Sequence, residues 1–352
     1  MCIHHHQSHT HTYLTVSSGG HHHHILNMKK PPLPLFTLRG HKAPVCAVEF
    51  LTNDKIVSGD AEGSLIMWNA ESRRVEASRR DAHDRGVLSL AVKDGVMMMS
   101  QGREGDIKIW MYSLKDIKLL HVISTGSCTF CKMHLDGSRL ATPSSDPNEF
   151  QLHTLNFGKD NKITSSKITH RPKCSFQSGM CMALRLMERS VVVGFESGHV
   201  ARFEISDDSS KKLLKPSLEA KLLRKPILCL EIDSKGYGIC LGASSEIVFF
   251  VMTKDSCSIR TSIRVPSKPG FSDVALRNDN KIIALGGWDK TVRIFQWRRR
   301  RLPKPLAVLK DIFEETVSGV SFSPDSNFLA ASSRDKNISV WSIYPVSSLS
   351  PS

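Results

Sequence analysis

The chain has 352 residues, 40% of them hydrophobic and 23% charged, which is enough apolar material for one large or two ordinary domains and too much for a disordered chain. Lysine and arginine outnumber aspartate and glutamate by 48 to 34, a net charge of +14 that favours acidic partners and says nothing about fold. No apolar run is long enough to span a membrane, and the N-terminus lacks the charged, apolar, small-residue layout of a secretory signal, so a soluble intracellular protein with no membrane partner is expected. The nine cysteines are scattered without the density of a disulfide framework, which makes reduced thiols the default. Cys128 and Cys131 alone are spaced as C-x-x-C; without a second pair or matching histidines they do not make a zinc site, and neither metal nor cofactor is expected.

In chain order, residues 1–27 come first. They hold nine of the sixteen histidines, among them His4, His5, His6 and His21 to His24, and show no apolar periodicity. A stretch of this kind cannot bury enough surface to order itself, so residues 1–32 are expected to be a disordered tail. Met28, followed by Lys29-Lys30-Pro31-Pro32, is a candidate translation start.

From residue 33 a repeat of about 42–46 residues runs to residue 345. Its plainest copies are Ser64-Leu-Ile-Met-Trp68, Asp106-Ile-Lys-Ile-Trp110, Thr291-Val-Arg-Ile-Phe295 and Asn337-Ile-Ser-Val-Trp341. Weaker copies lie at Glu149 to His153, His199 to Phe203 and Glu246 to Phe250, giving seven in all. Each follows two further alternating runs, as in Val45 to Phe50 and Lys55 to Ser58, which read as β-meanders with short turns. Seven four-stranded sheets arranged radially hide most of their edges, so the spacing predicts an all-β, seven-bladed β-propeller. The lone run Leu35 to Arg39 precedes the first meander, and the last repeat stops after its third strand. Pairing of this N-terminal strand with the C-terminal blade is therefore expected to close the ring. Residues 346–352 are left as a disordered C-terminal tail.

Gly40-His41, with Ser58 and Trp68 downstream, resembles the signature of the WD-repeat family. In that family a His, a Ser or Thr, a turn Asp and a Trp form a buried hydrogen-bonded network. The resemblance implies that His41, Ser58, Trp68, Trp110, Asp289, Asp335 and Trp341 are structural signature residues. Glu62 stands at the turn of the first blade and Glu104, with His83, at that of the second. Blades three to five lack the landmarks and are expected to be held by hydrophobic packing alone, with residues 156–179 as a looser insertion. The family also implies that residues just before the turn acid, here Ala61, Arg103, Trp288 and Arg334, point onto one face of the ring. Trp and Arg are the types most enriched at binding hot spots, so Arg103, Trp288 and Arg334 form the expected protein-binding site.

An ordered set of shorter strings carries a nearer resemblance. It includes Leu38-Arg-Gly40, Ser100-Gln-Gly-Arg-Glu104, Gly179-Met-Cys-Met182, Gly194-Phe-Glu-Ser-Gly198, Gly287-Trp-Asp289, Pro305-Leu-Ala-Val-Leu309 and Ile338-Ser-Val-Trp-Ser-Ile-Tyr-Pro345. Together these look like the guanine-nucleotide-binding protein beta-subunit-like protein 1 family, whose fungal relatives are WD-repeat subunits of the ASTRA complex. That resemblance implies a non-enzymatic scaffold working with the Triple-T (ASTRA) cofactor complex, heat-shock chaperones and clients of the phosphatidylinositol-3-kinase-related kinase family, as a monomeric propeller in a larger complex of cytoplasm and nucleus. A G-protein gamma partner is not expected, because residues 1–32 carry no heptad pattern and include Pro31 and Pro32.

No phosphate loop, H-E-x-x-H motif or nucleophile elbow occurs. Cys131, His134 and Asp136 lie close in sequence, but neighbours on a strand point to opposite faces. The basic run Arg298 to Arg301 reads as a solvated loop; an import signal and a nucleic-acid contact are alternatives. The rival function is a chromatin-associated or signalling propeller that reads acidic tails or nucleic acid.

Overall fold

The structure is a computed structural model that describes residues 15–18, 21–24, 31–113, 116–159, 162–205, 213–265, 270–299 and 301–344. Within them the chain forms seven sheets, antiparallel except where Leu213–Leu214 adds in parallel to the outer edge of blade 3. Blade 1 comprises Val45–Phe50, Lys55–Asp60, Leu65–Asn69 and Arg74–Arg79. Blade 2 follows with Val87–Lys93, Met97–Gly102, Asp106–Ser113 and Asp116–Ser124. Blade 3 has His134–Asp136, Arg139–Pro143, Phe150–Phe157 and Ile163–Pro172, and blade 4 has Cys181–Met187, Ser190–Phe195, His199–Glu204 and Leu218–Lys221. Blade 5 is built from Ile227–Ile232, Tyr237–Gly242, Glu246–Met252 and Cys257–Arg264, and blade 6 from Phe271–Leu276, Ile282–Gly287, Val292–Gln296 and Lys304–Leu309. Blade 7 takes Val317–Phe322, Phe328–Ser333 and Asn337–Ser342 from the C-terminal end and Phe36–Arg39 from the N-terminal one. This is the seven-bladed propeller the repeat predicts.

The register Phe36↔Val340, Thr37↔Ser339, Leu38↔Ile338, Arg39↔Asn337 closes the ring. Leu38 is buried and packs in one cluster with Val45, Trp68, Ile338 and Val340, so blades 7 and 1 share a core. The same holds around the ring: each of the seven buried clusters among the described residues joins two consecutive blades. Middle strands touch a blade on both sides, which explains why Ser190–Phe195 and Ile282–Gly287 are buried at every position and read as continuous apolar runs rather than alternations. Outer strands such as Arg74–Arg79 are largely exposed. Arg277, fully buried, locks blade 6 to the chain's closing turn: it pairs with Asp279 at 2.7 Å and donates to the carbonyls of Ile343 and Tyr344 at 2.9 and 2.8 Å.

Six innermost strands carry a bulge after their first residue, at Val45/Ala47, Val87/Ser89, Cys181/Ala183, Ile227/Cys229, Phe271/Asp273 and Val317/Gly319. A bulge re-aims the skipped side chain, here Cys46, Leu88, Met182, Leu228, Ser272 and Ser318. Blade 3 is the exception, with an innermost strand of only three residues.

Three expectations are corrected. Thr15–Ser18 and His21–His24, placed in the disordered tail by composition, form two strands added to the outer edge of blade 5 beside Cys257–Arg264; an outer strand leaves backbone groups unpaired, and an added strand satisfies them. The rest of residues 1–30 and the C-terminal tail lie outside the described residues. Residues 156–179 are not a loose insertion, since Ile163–Pro172 is the fourth strand of blade 3 and its residues 163–170 pair with Phe150–Phe157. Beyond it, Phe176 stacks on His199 at 3.9 Å and meets Phe195 edge-on. The basic run is not simply solvated. Arg299 pairs with Asp233 of blade 5 at 2.8 Å, and Arg260 donates to the carbonyls of Arg298 and Arg301; Arg300 lies outside the described residues.

Candidate functional site

The turns between second and third strands are fixed differently from blade to blade. In blade 1, His41 Nδ1 meets Asp60 Oδ2 at 2.8 Å and His41 Nε2 meets Ser58 Oγ at 2.7 Å, while Trp68 Nε1 donates to Ser58 Oγ at 2.8 Å. Burial raises the Asp60 carboxyl, but His41 and the backbone N–H groups of Ser64 and Glu62 outweigh it and hold the pKa below the usual carboxylate value. The network acid is therefore Asp60, two residues before the Glu62 read from sequence.

Blade 2 reaches the same arrangement by another route. Gly102 occupies the position of Asp60, and Glu104, two residues on, folds back so that its carboxylate bonds His83 Nδ1. A Cβ on Gly102 would coincide with that carboxylate and with the His83 ring. His83 Nε2 meets Ser100 Oγ at 2.6 Å and Trp110 Nε1 donates to it at 2.7 Å. Blade 3 keeps a fragment: Thr142 Oγ1 and His153 Nε2 lie 3.1 Å apart at the Ser and Trp positions, so apolar packing alone does not hold it. Burial drives His153 down to about 4.

In blade 6, Asp289 binds Arg293 at 2.5 Å rather than a histidine. Asp335 in blade 7 accepts the backbone N–H groups of Glu314 and Asn337 at 2.8 and 3.0 Å. Trp341 is fully buried, but Phe313 stands in the histidine position 5.9 Å from its ring and Ala331 replaces the serine, so its Nε1 has no hydrogen-bond partner among the described residues.

These turns and bulges surround a cavity of about 600 Å³ lined by Cys46, Leu88, Arg103, Phe130, Lys132, Leu228, Phe271, Ser272, Trp288, Glu315, Thr316, Ser318 and Arg334. Arg103, Trp288 and Arg334, separated by up to 231 positions of chain, face the same space; Ala61 is not part of it. Sequence reasoning missed the bulge residues Cys46, Leu88, Leu228, Ser272 and Ser318, and it missed Phe130. The bulges leave no letter in the sequence, although their spacing from each turn is regular. Trp288 is half settled: its ring lies against the backbone of Gly270, whose φ of +131° no other residue adopts easily, while 38% of it stays exposed. Phe130 is 64% exposed and carries the Arg103 guanidinium 5.1 Å from its ring centre. Burial raises the Cys46 thiol pKa, and the charges of Arg103 and Arg334 pull it back.

The floor of this cavity is a salt bridge across the central channel. Lys132 of blade 3 reaches Asp273 of blade 6 at 2.7 Å and the Ser272 carbonyl at 3.1 Å. Below it lies a second cavity of about 450 Å³, whose lining includes Glu49, His134, Arg185, Glu231 and Asp273. Arg185 pairs with Glu231 at 3.2 Å, whereas the Glu49 carboxylate accepts from Ser321 Oγ at 2.6 Å and from no other side chain among the described residues. Burial lifts the Glu49 carboxyl to about 7 despite that hydrogen bond.

Cys131, His134 and Asp136 are not brought together. His134 Nδ1 accepts the Leu186 N–H, Asp136 pairs with Arg139, and burial pushes the Cys131 thiol up to about 12. No group of three potential metal ligands occurs among the described residues, and none of their helices is long and apolar enough to cross a membrane.

Comparison with known proteins agrees with the geometry. Residues 33–69 and 304–342 match the WD domain, G-beta repeat model. Guanine nucleotide-binding protein subunit beta-like protein 1 of Mus musculus is 28% identical over 337 residues, covering 90% of this chain and 97% of the mouse protein. ASTRA-associated protein 1 of Schizosaccharomyces japonicus is 26% identical, covering 89% of this chain and 99% of the yeast protein, and that of Schizosaccharomyces pombe is 25% identical with the same coverage. Among solved structures, the Myceliophteria thermophila Cps50 (Swd1) beta-propeller domain superposes with a TM-score of 0.69 at 15% identity, covering 88% of this chain and all of that domain.

Proposed function

We propose that this WD40-repeat propeller is a non-catalytic scaffold that works with the ASTRA (Triple-T) chaperone-cofactor machinery in the assembly of phosphatidylinositol-3-kinase-related kinases, in cytoplasm and nucleus. The observation that carries this reading is coverage: the likeness to the ASTRA-associated proteins runs over 89% of this chain and 99% of the yeast relatives, so the unit held in common is the whole ring rather than one repeat. The physical role is that of a rigid ring with two faces, on which a partner and a client are held together without bond chemistry. The partly apolar cavity, with Arg103, Trp288 and Arg334 on its wall, is the docking surface of this reading, because exposed Trp and Arg in a concave site are the usual anchors of an interface.

Affinity purification of the full chain from its native extract at physiological salt is the test. Co-purification of Triple-T subunits and kinase-family clients supports the reading. Recovery of nucleic acid or histones in their place, lost as salt rises, replaces it with a chromatin-associated propeller.

A further inference from the structure

The cavity that collects Arg103, Trp288 and Arg334 has a definite chemical complementarity. Most arginines with buried guanidinia in this ring are already spent: Arg185, Arg277 and Arg293 each face a carboxylate within 3.2 Å. Arg103 and Arg334 differ. Neither has a carboxylate within salt-bridge distance among the described residues, although both lie close enough to Cys46 to lower its thiol pKa. Lys132, the third cation of the lining, is neutralised by Asp273 at the floor. The one carboxylate on the rim is Glu315. The site thus presents two uncommitted guanidinia, one of them held in place by Phe130.

The apolar side of the cavity points to the same kind of occupant. Among the described residues, the exposed large hydrophobics include two aromatics, Phe130 and Trp288, and both line this cavity. Leu88 and Leu228 line the same cavity. A volume of about 600 Å³ lies within the usual range of roughly 300–1,000 Å³ for ligand pockets and admits a few side chains, not a folded domain.

We propose that this cavity takes a short, extended acidic segment of a protein partner, with carboxylate side chains on Arg103 and Arg334 and a neighbouring aromatic or leucine side chain between Trp288 and Phe130. The inference rests on the reading of the ring as a docking platform, and not on which pathway it serves. Guanidinium groups offer a planar fork that matches carboxylate geometry. The apolar anchor supplies the affinity that exposed ion pairs alone do not, since these contribute about 0–1 kcal/mol.

Random peptides displayed on phage are selected on the immobilised full chain at physiological salt, and the enriched sequences are synthesised. Their affinities are measured for the wild type, for the Arg103→Glu/Arg334→Glu double variant and for Trp288→Ala. The expected sequences carry Asp or Glu beside an aromatic residue or leucine, and each variant weakens them by about tenfold or more, equivalent to roughly 1.4 kcal/mol. Thermal unfolding of the Arg103→Glu/Arg334→Glu variant is expected to match the wild type, because neither arginine holds a structural carboxylate. Neutral or basic winners, no winners, or equal binding to the charge-reversed ring overturns the proposal. Co-purification of Triple-T subunits with the charge-reversed chain separates the two readings: if it persists where the acidic preference has failed, the scaffold role stands and this site does not carry it.

Discussion

Blades 1 and 7 adjoin across the closure and place a buried tryptophan at the same point of the third strand, yet they fix it by different means. Trp68 donates to a serine that also holds a histidine, itself held by an aspartate. Trp341 sits against Phe313 and above Ala331, its Nε1 without a hydrogen-bond partner among the described residues. The comparison separates two roles that sequence letters merge. Packing of the indole between blades is common to both, whereas the hydrogen-bonded network is a local addition that fixes a turn. Blade 2 shows that the addition tolerates rearrangement, with Glu104 reaching the space that Asp60 fills from two residues earlier.

The largest expected effect breaks the network where it is complete. Ser58→Ala strands the buried His41 Nε2 and Trp68 Nε1, and a loss of about 2–4 kcal/mol is expected in denaturant unfolding; a loss below about 0.5 kcal/mol would mean that blade 1 is held like blade 7. Next is the fragment in blade 3. His153 has a folded pKa of about 4, below its unfolded value of 6.5, so the unfolded chain binds the extra proton and stability is full above pH 6.5. It falls progressively from there towards pH 4, by roughly 3 kcal/mol, and His153→Phe should flatten this part of the pH profile.

Gly102→Ala forces a Cβ into the Glu104 carboxylate and should cost about 1–3 kcal/mol. Gly102→Asp combined with Glu104→Ala, which transplants the blade 1 solution, should recover most of that loss in a double-mutant cycle. Ala331→Ser offers Trp341 an acceptor and should stabilise by about 0.5–1.5 kcal/mol, opposite in sign to Ser58→Ala. The smallest effect is expected at the cavity: Trp288→Ala with Arg334→Ala should change stability by less than about 0.5 kcal/mol while weakening partner binding.

The fold was legible because the repeat recurs in the third strands, whose apolar residues are buried from both sides. Even the weak copies at Glu149 to His153 and Glu246 to Phe250 lie on third strands. Ring closure was legible from a lone strand at one end and a missing one at the other. The identity of the blade 1 network acid was not, because Asp60 and Glu62 are both acidic residues in one tight turn and only three-dimensional reach decides between them. Three of the thirteen residues lining the cavity, Arg103, Trp288 and Arg334, were readable from the positions before each turn. Five more, Cys46, Leu88, Leu228, Ser272 and Ser318, depend on bulges that swing one residue out of an otherwise regular strand. Phe130 and Lys132 were hidden because blade 3 begins its innermost strand late, which leaves that segment free to line the channel.

The closing pair Thr37 and Ser339 are 302 residues apart in the chain. A ribosome adding about 5–20 residues per second needs roughly 15–60 s to travel that distance. For all that time Phe36–Arg39 has no partner to pair with and cannot form a strand, and the inner strand of blade 1 has no neighbour on its other side. The strand that closes the ring is thus made before every other strand of the seven blades it completes.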